Sequence, residues 1–543
     1  MQVDILFPGL QAKRKTKMGK TQSVLENKGY TIQEEEENGV IAIDKEGDRF
    51  VVKEIKLEKS KTSDFNSDAQ YLLSEMSTLL QISHPHIANY RNSFQDGNSY
   101  YVVMDHCEGG DLSQKIRERR ETRTPFSEEQ IMDWLVKICM AIKCVHDKGL
   151  LHRDLRPQNI FLTQFGTLRL GNFGRLTEIS GKGSSKNAAY LGPEALNSEI
   201  YNTKSDIWSL GCVLYEMCML QSAFTAENRK KLPESFSHEL RDLLCDIFQQ
   251  DPSIRPSAGE ILAKHFIISF LTKKNATTVK ELQTNLDNLR ALADGLERVH
   301  QGTTIGSLTG GVIGAVGGIT SIVGLILAPF TLGASLIVTG VGVGVAVAGG
   351  ATAGVSNITN MVNQSTDRKA IKSIIKEFQE KMNSVVVSLT DIAEGLEMLS
   401  GSGSFDAGSD NLLPRAGARV GRGLGAIPEL IRLVQVANIG RVAAQAARAV
   451  RVAEVATGVF SGFFVALDLY FIAVDAKEIH NIRQAKANRQ SLNPECEELV
   501  PEPKPEVQSE TMKFIQTIRQ TADQLQESLN ELRDVISFIP KID

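Results

Sequence analysis

A stretch of 66 residues without a charged side chain constrains the second half of this chain more than any other feature. Residues 301–366 contain no Asp, Glu, Lys or Arg. Residues 305–328 and 332–348 are almost entirely apolar or small, and Pro329 lies between them. A bilayer core requires about 20 apolar residues of helix, and proline interrupts helices. The stretch therefore predicts an apolar helical hairpin that is too apolar to face water.

Glycines recur at every fourth position along the first arm of this hairpin. Such spacing lets membrane helices approach each other closely, whereas each glycine would weaken a water-exposed helix by about 1 kcal/mol. Two interpretations fit equally well, a hairpin that spans a membrane stably and a core hairpin of a soluble bundle that inserts conditionally. The glycines are Gly306, Gly310, Gly314 and Gly318.

Composition excludes several classes of protein. The net charge of -5 and the pI of about 6.1 argue against a nucleic-acid-coating protein. Seven cysteines without a CxxC pair indicate neither a disulfide scaffold nor a zinc ribbon. The first 20 residues lack the apolar core of a secretory signal, so a cytoplasmic, membrane-associated location is expected rather than secretion.

Changes in composition divide the chain into segments. Leucines at helical spacing predict an amphipathic helix over residues 276–300, and heptad-spaced apolar residues predict a coiled-coil-like helix over residues 510–537. The predicted segments are a loose basic tail (1–27), a globular α+β domain (28–270), helices with the apolar hairpin (276–400), a Gly/Ser linker (401–414), basic amphipathic and apolar helices (415–492), an acidic linker with prolines (493–509) and a C-terminal amphipathic helix (510–540).

Residues 415–452 interleave arginines with apolar side chains. A basic amphipathic helix suits an anionic membrane surface, and a bundle helix with a solvated arginine face is the alternative. The apolar residues 455–474 that follow contain Asp468, which we interpret as part of the polar face of a bundle helix rather than as an ion or pH sensor. The arginines expected at the membrane include Arg441, Arg448 and Arg451.

Eight motifs in the first half follow one another at the spacing of a protein kinase, and together they are specific. They resemble protein kinases over residues 28–270, and the runs CEGGDL and QISHPHI are most similar to NIMA-related (Nek) serine/threonine kinases. The resemblance implies a two-lobed α+β fold that binds ATP. The motifs are FVVK (50–53), SEMSTLLQISHPHI (74–87), YYVVMDHCEGGDL (100–112), HRDLRPQNIFL (152–162), LGNFG (170–174), GPE (192–194), SDIWSLGCVLYEM (205–217) and DPSIRPS (251–257).

The resemblance assigns roles to individual residues. A lysine and a glutamate position the phosphates, an aspartate orients the substrate hydroxyl, and two side chains hold Mg²⁺. The implied catalytic positions are Lys53, Glu75 and Asp154, the nucleotide-binding positions are Val40, Lys53, Asp105 and Cys107, and the metal positions are Asn159 and Asn172.

Two parts of this machinery depart from the kinase pattern. Counted back from Val40, the three glycine positions of the phosphate loop hold Gln33, Glu35 and Asn38, within the acidic run QEEEENGV. Side chains there keep the backbone amides away from the phosphates, and glutamates repel them. Asn172 replaces the aspartate that ligates Mg²⁺, a cation that prefers carboxylate oxygen. We therefore expect a pseudokinase that retains a route to ATP binding but holds Mg²⁺ weakly.

The second half resembles the apolipoprotein L family. The string ALADGLERVHQGTTIGSLTGGVIGAVGGITSIVGLILAPFTLGASL (291–336) carries the resemblance, FFVALDLYFIAVDAKEIHN (463–481) extends it, and the last helix resembles the family's C-terminal segment. Over residues 276–540 this resemblance implies lipid binding, membrane insertion and channel-like or membrane-remodelling activity.

These features predict a multidomain protein, with an N-terminal two-lobed kinase fold and a C-terminal all-α membrane-active module. The favoured function is a lipid-binding, membrane-inserting effector that a degenerate kinase domain regulates. The alternatives are an active serine/threonine kinase delivered to membranes and an extracellular lipid-transport protein. Expected partners are membrane lipids, including anionic ones, and a protein that binds the kinase-like domain or the last helix, with no role for nucleic acid.

Overall fold

The computed structural model describes residues 21–36, 39–45, 47–56, 65–173, 189–198, 201–221, 232–307, 353–401, 439–490 and 505–539. The chain separates into two compact units. The first comprises Met1–Ile268 and Glu394–Ile427, and the second comprises Ser269–Ala393 and Pro428–Asp543. The predicted fold class is confirmed, because a sheet-and-helix kinase fold forms the first unit and long helices form the second.

The first unit begins with a five-stranded antiparallel sheet in the order β1-β2-β3-β5-β4. Apolar residues of the central strands β3 and β5 are buried, among them Val52 of β3 and five consecutive residues of β5, Tyr100–Met104. A helix, α1 (Phe65–Leu80), follows β3. The strands are β1 (Thr31–Glu36), β2 (Gly39–Ile43), β3 (Arg49–Lys56), β4 (Tyr90–Asp96) and β5 (Ser99–Asp105).

Residues 21–27 differ from the predicted loose tail. They are helical, and Leu25 is fully buried in a cluster with Phe50, Tyr101 and Val103 of the sheet. Little in the sequence indicates this packing, because Leu25 follows a strongly basic segment. Residues 1–20 of the predicted tail lie outside the described part of the chain.

The described residues of the second lobe are mainly helical and include the short hairpin β6 (Ile160–Leu162) and β7 (Leu168–Leu170). Local caps fix several helix starts. Ser127 accepts a hydrogen bond from the backbone of Gln130, and Asn202 forms a capping box with Ser205. The helices are α2 (Leu112–Thr122), α3 (Glu128–Asp147), α4 (Pro193–Ser198), α5 (Thr203–Met219), α6 (His238–Ile247) and α7 (Ala258–Leu262).

Four long helices follow in the described part of the chain. They are α8 (His265–Ser307), α9 (Ala353–Gly401), α10 (Ile439–Gln490) and α11 (Pro505–Phe538). Helix α8 begins 11 residues before the predicted amphipathic helix, and α9 begins inside the charge-free stretch. The rest of the predicted hairpin, residues 308–352, lies outside the described residues, and so does 402–438.

Side-chain contacts within the second unit show how the four helices pair. Helix α8 meets α9 through Asn275–Ser388 and Lys381–Glu281, and α9 meets α10 through Phe378–Phe460 and Lys372–Asp468. Helix α10 meets α11 through Tyr470–Phe514 and Arg448–Glu531, and α11 meets α8 through Arg290–Asp523 and Arg519–Asp294. In every pair the residue numbers run in opposite directions, so the four helices form an up-down-up-down antiparallel bundle.

The bundle accounts for the heptad pattern of the last helix. Six of its predicted positions are buried against helices of the same chain, and Ile536 is only half-buried while Val535 takes the inward place. Asp468 is half-exposed and its Oδ1 lies 3.0 Å from Lys372 Nζ, in line with the predicted polar face. The buried positions are Ile515, Ile518, Ala522, Leu525, Leu529 and Leu532.

One helical segment of the described chain, Ala444–Tyr470, has the length and composition needed to cross a bilayer. Its mean hydropathy is 1.6, and 28% of its most apolar window is buried. The core helix of a soluble protein is mostly buried, so this segment is more exposed than its composition alone would suggest.

Candidate active site

The implied phosphate-pairing residues lie on the sheet and on α1. Lys53 is half-buried on β3 opposite Val102 of β5, and Glu75 is half-buried on α1. Val40 lies on β2 opposite Val52. Each of these three residues therefore lies on the element that the kinase resemblance implies, and its role stays a prediction.

The predicted hinge runs from the end of β5 into the second lobe. The carboxylate of Asp105 is 2.7 Å from Arg91 Nε and 3.7 Å from Arg169 NH1. The backbone N–H of Asp105 donates to Asn89 O at 3.0 Å. Because the side chain of Asp105 is held by two arginines, a contribution of the hinge to adenine binding would come from main-chain groups. Cys107 is buried at the start of the turn that leads to α2.

The three polar residues of the implied catalytic centre form one buried hydrogen-bonded chain. Asn159 Nδ2 donates to both the backbone oxygen and the Oδ2 of Asp154, at 2.7 and 2.8 Å. Asn172 Nδ2 donates to Asn159 Oδ1 at 3.0 Å. The Nε of Arg156 lies 3.1 Å from Asp154 Oδ1, although the N–H is not aligned with the oxygen. Asp154, Asn159 and Asn172 are each less than 10% exposed.

The order of donors along this chain follows from chemistry. Asn159 faces two acceptor oxygens of Asp154, so its NH₂ group must point there and its Oδ1 must point to Asn172. Asn172 must then present its own NH₂ group, which a carboxylate could not do. Asn172 has a φ of 58°, a left-handed conformation that Asn tolerates better than most residues. Its Oδ1 is buried without a hydrogen-bond partner among the described residues.

A neutral histidine, His152, contacts the residues on either side of Asn172. The Nε2 of His152 lies 3.1 Å from the carbonyl oxygen of Gly171, and its Nδ1 accepts from the backbone of Asp154 at 3.3 Å. Burial lowers the pKa of His152 to about 4, so the ring is uncharged at neutral pH. Phe173 packs on this ring with centroids 4.7 Å apart.

The catalytic loop is anchored by Asp206 of α5. Its carboxylate accepts hydrogen bonds from the backbone N–H groups of His152 and Arg153, and from the Tyr201 hydroxyl. Burial would raise the pKa of Asp206, but the interactions with His146, His152 and Tyr201 together outweigh burial and lower the pKa. The anchor serves the fold of the loop, whether or not the loop catalyses a reaction.

The β1–β2 hairpin replaces the glycine-rich phosphate loop. Strand pairing continues to Glu36 opposite Gly39, so two residues connect the strands. Glu35 is paired within the ladder opposite Val40, and Gln33 lies at a bulge. A Cβ on Gly39 would lie 2.8 Å from Val52 O, so β2 lies too close to β3 at this point for any side chain. The loss of the phosphate cradle stays a prediction, and Asn38, one of its three positions, lies outside the described residues.

The residues at the implied metal site do not fit Mg²⁺. Asn159 and Asn172 are neutral amides, and the Asn159 oxygen that would face a cation instead accepts the N–H of Asn172. In phosphoryl-transfer enzymes, Mg²⁺ is bound by carboxylates of the protein and by phosphates of the substrate. Within the described residues, no group of three or more His, Cys, Asp or Glu side chains could hold a metal ion.

Sequence reasoning missed Phe161, which lies on β6 two residues after Asn159. A Cβ on Gly171 would lie 3.0 Å from the Phe161 ring, so this ring lies beside the residue that precedes Asn172. Its place in the HRDLRPQNIFL motif was the available signal. The contact depends on side-chain packing between β6 and β7, which the motif alone does not specify.

The predicted membrane residues are described only in part. Gly306 lies in the last turn of α8, whereas Gly310, Gly314 and Gly318 lie outside the described residues. Arg441, Arg448 and Arg451 all lie on α10. Two of these arginines differ in their surroundings. Arg448 Nε lies 3.1 Å from Glu531 Oε2 of α11, whereas Arg451 is exposed.

Comparison with known proteins agrees with both resemblances. The protein kinase domain family matches residues 40–267, and the apolipoprotein L family matches residues 221–404. The kinase match thus begins at Val40, after the positions of the lost glycines. The resemblance to apolipoprotein L beyond residue 404 stays a prediction.

Curated relatives identify the type of kinase domain. Serine/threonine-protein kinase Nek1 of Mus musculus is 42% identical over 245 residues, Nek5 of Homo sapiens is 36% identical over 241, and Nek4 of Mus musculus is 34% identical over 266. These alignments cover 42%, 41% and 45% of this chain, and 20%, 33% and 33% of the relatives. The chain therefore spans a third or less of the length of these relatives. It combines a Nek-type kinase domain with an apolipoprotein L segment.

Proposed function

We propose that this protein is a membrane-binding effector in which the Nek-type kinase domain has lost phosphoryl transfer and acts as a regulatory binding module. The hydrogen bond from Asn172 to Asn159 carries the first half of the proposal. Kinases catalyse mainly by positioning the phosphates and neutralising their charge. A pair of neutral amides that bind each other supplies no negative charge for Mg²⁺, and the Asn159 oxygen is already occupied by the N–H of Asn172.

The hairpin at the nucleotide side supports the same conclusion. Glu34, Glu35 and Glu36 lie in β1, where a kinase would present glycine amides to an anion with about four negative charges. Binding of the adenosine part at the hinge remains compatible with this arrangement. We therefore expect nucleotide binding, where it occurs, to be weak and insensitive to Mg²⁺.

Phosphate transfer from labelled ATP tests the first half on the full chain, with nucleotide binding measured with and without Mg²⁺. We expect no transfer to the chain itself or to a generic substrate, and no gain of binding with Mg²⁺. The Asp154→Ala variant is the control for contaminating kinases. Mg²⁺-dependent transfer that Asp154→Ala abolishes would establish the alternative, an active kinase targeted to membranes.

The membrane half of the proposal is supported by the charge-free stretch 301–366 and by the apolipoprotein L match that covers it. Lipid binding by this stretch is tested with Leu325→Arg, which adds a cation in its apolar first arm. Such a charge costs about 2.5–3.5 kcal/mol on insertion scales. Vesicle flotation and dye leakage should both fall, whereas the matched Leu325→Ala variant should retain both. Equal leakage from all three proteins would contradict insertion of this stretch.

A further inference from the structure

Helix α10 carries a row of large apolar side chains on its solvent side. Val455, Val465, Leu469 and Ile472 are each about 60% exposed. Gly458 and Gly462 lie between them, and a Cβ built on either would meet no atom within 4 Å. The spacing of 3 and 4 residues places all six on one face, which we call the α10 stripe.

The opposite face of the same helix is used within the bundle. Phe460, Phe463 and Leu467 are almost completely buried. Phe460 packs edge-on against Phe378 of α9, and Phe463 packs against Phe514 of α11. The α10 stripe therefore points away from the core of its own bundle. A partner could bind the stripe without breaking the contacts of that core.

Four of the six stripe positions are symmetrical about residue 460. Val455 and Gly458 precede that residue by five and two positions, and Gly462 and Val465 follow it at the same distances, whereas Leu469 and Ile472 have no counterpart within the stripe. An antiparallel partner with the same sequence would bring Val455 opposite Val465 and Gly458 opposite Gly462. Such a self-matching patch is what a two-fold symmetric interface requires. We propose that the α10 stripe binds the α10 stripe of a second copy of this chain, in antiparallel orientation.

The two glycines favour a helix over lipid as the occupant. Lipid chains gain contact from bulky side chains, and each glycine lowers helix stability by about 1 kcal/mol relative to alanine. A second helix gains from glycines at this spacing, because they let the two backbones approach.

The charge at the start of the stripe selects the antiparallel arrangement. Arg451 is exposed one helical turn before Val455 and on the same face. A parallel, in-register pair would place the two Arg451 side chains side by side, where they repel. In the antiparallel pair each Arg451 lies opposite Leu469, and its aliphatic stem can cover that side chain.

The size of the stripe sets the expected strength. Stable interfaces bury about 800 Å² per partner, and four large side chains with two glycines provide less than this. The dimer should therefore be reversible. It does not depend on the proposed loss of kinase activity or on membrane insertion.

Sedimentation of the full chain over a concentration series, without lipid or detergent, tests the association. Gly458→Leu with Gly462→Leu should weaken dimer formation at least about tenfold, a change of about 1.4 kcal/mol in association free energy. The added side chains enter open space, so the monomer should remain folded. The control is Val450→Gln, an exposed residue of α10 outside the stripe. A monomer at every concentration, or equal association of all three proteins, would overturn the proposal.

Cysteine cross-linking tests the orientation. Val455→Cys and Val465→Cys proteins should form a disulfide with each other when mixed, and neither should do so alone beyond the background of the unmodified chain. A disulfide between two Val455→Cys chains would overturn the antiparallel arrangement. Tighter binding of the double leucine variant to neutral vesicles, with sedimentation unchanged, would show that the stripe faces lipid instead and would also overturn the proposal.

Discussion

The Nδ2 atom of Asn172 lies 3.0 Å from the Oδ1 atom of Asn159, so the two side chains at the implied metal positions bind each other. Their separation in sequence is 13 residues, and β6, β7 and the left-handed turn at Asn172 bring them together. The bond links Asn172 through Asn159 to Asp154, and it uses a donor that aspartate lacks. The asparagine at residue 172 thus changes the hydrogen-bond network of the site as well as its charge.

Replacement of Asn172 by aspartate should destabilise the kinase domain. Two oxygens would then face each other in a buried site, at a cost of about 1–3 kcal/mol, unless a cation or proton lies between them. We expect a lower melting temperature for Asn172→Asp, and recovery of part of the loss by Mg²⁺. Thermal unfolding with and without MgCl₂ measures both effects.

The control for this prediction is Asn172→Gly, which removes the donor, suits the positive φ and adds no charge. Its melting temperature should not respond to Mg²⁺. Asn172→Asp should also remain without phosphate transfer, because the acidic β1–β2 hairpin is unchanged. Robust turnover that requires Asp154 would refute the argument from the hairpin.

The stability of the kinase domain should fall as the pH drops from about 6.5 to about 4. Burial lowers the pKa of His152 to about 4 and that of His86 well below its usual value of 6.5. The unfolded chain takes up protons in this window that the folded chain excludes, so unfolding becomes easier by up to about 1.4 kcal/mol per pH unit for each histidine. Urea unfolding at a series of pH values measures the slope.

Two variants identify the groups responsible for this slope. His152→Asn should reduce the slope by about one proton, whatever its effect on stability at pH 7. His84→Asn should reduce the slope as well, because burial lowers the pKa of His84 to about 4. An unchanged slope in His152→Asn would show that this histidine is protonated in the folded state.

Gly39→Ala should destabilise the first unit by about 1–3 kcal/mol, as overpacking does in well-packed proteins. Its new Cβ would lie 2.8 Å from the backbone oxygen of Val52, which cannot rotate away as a side chain could. Gly259→Ala is the matched control, since a Cβ there makes an ordinary 3.5 Å contact with Met398. Chemical unfolding of both variants checks the difference, and equal midpoints would mean that the hairpin is free to move.

Arg451→Gln should weaken binding to anionic vesicles, because an arginine near an anionic surface contributes about 1 kcal/mol, or roughly fivefold in affinity. Arg448→Gln is less informative alone, since it also removes the contact with Glu531. Binding to neutral vesicles should not change in Arg451→Gln. A loss that is equal for neutral and anionic vesicles would assign Arg451 a role in folding rather than in lipid recognition.

Local motifs were sufficient to predict the kinase fold, because short, ordered motifs determine its elements. Lys53, Asp154 and Asn159 lie on the elements that these motifs indicate, and their roles in a reaction stay predictions. The bond between Asn172 and Asn159 was not predictable, since it depends on amide orientation and on the conformation of one residue. The closure of the bundle was also beyond the sequence, because Arg290 and Asp523 are more than 200 residues apart. Helix propensity alone does not specify which helices become neighbours.

Because α8 and α9 are antiparallel neighbours, residues 308–352 connect two helix ends that lie at the same end of the bundle. Helix α8 ends at Ser307 and α9 begins at Ala353, so both ends of this segment join the bundle at the same tip. Helix α10 ends and α11 begins at that tip as well. The contacts that pair the four helices are made by residues outside this segment. A short turn could replace it without rethreading any helix, and a corresponding segment from another protein could be exchanged for it.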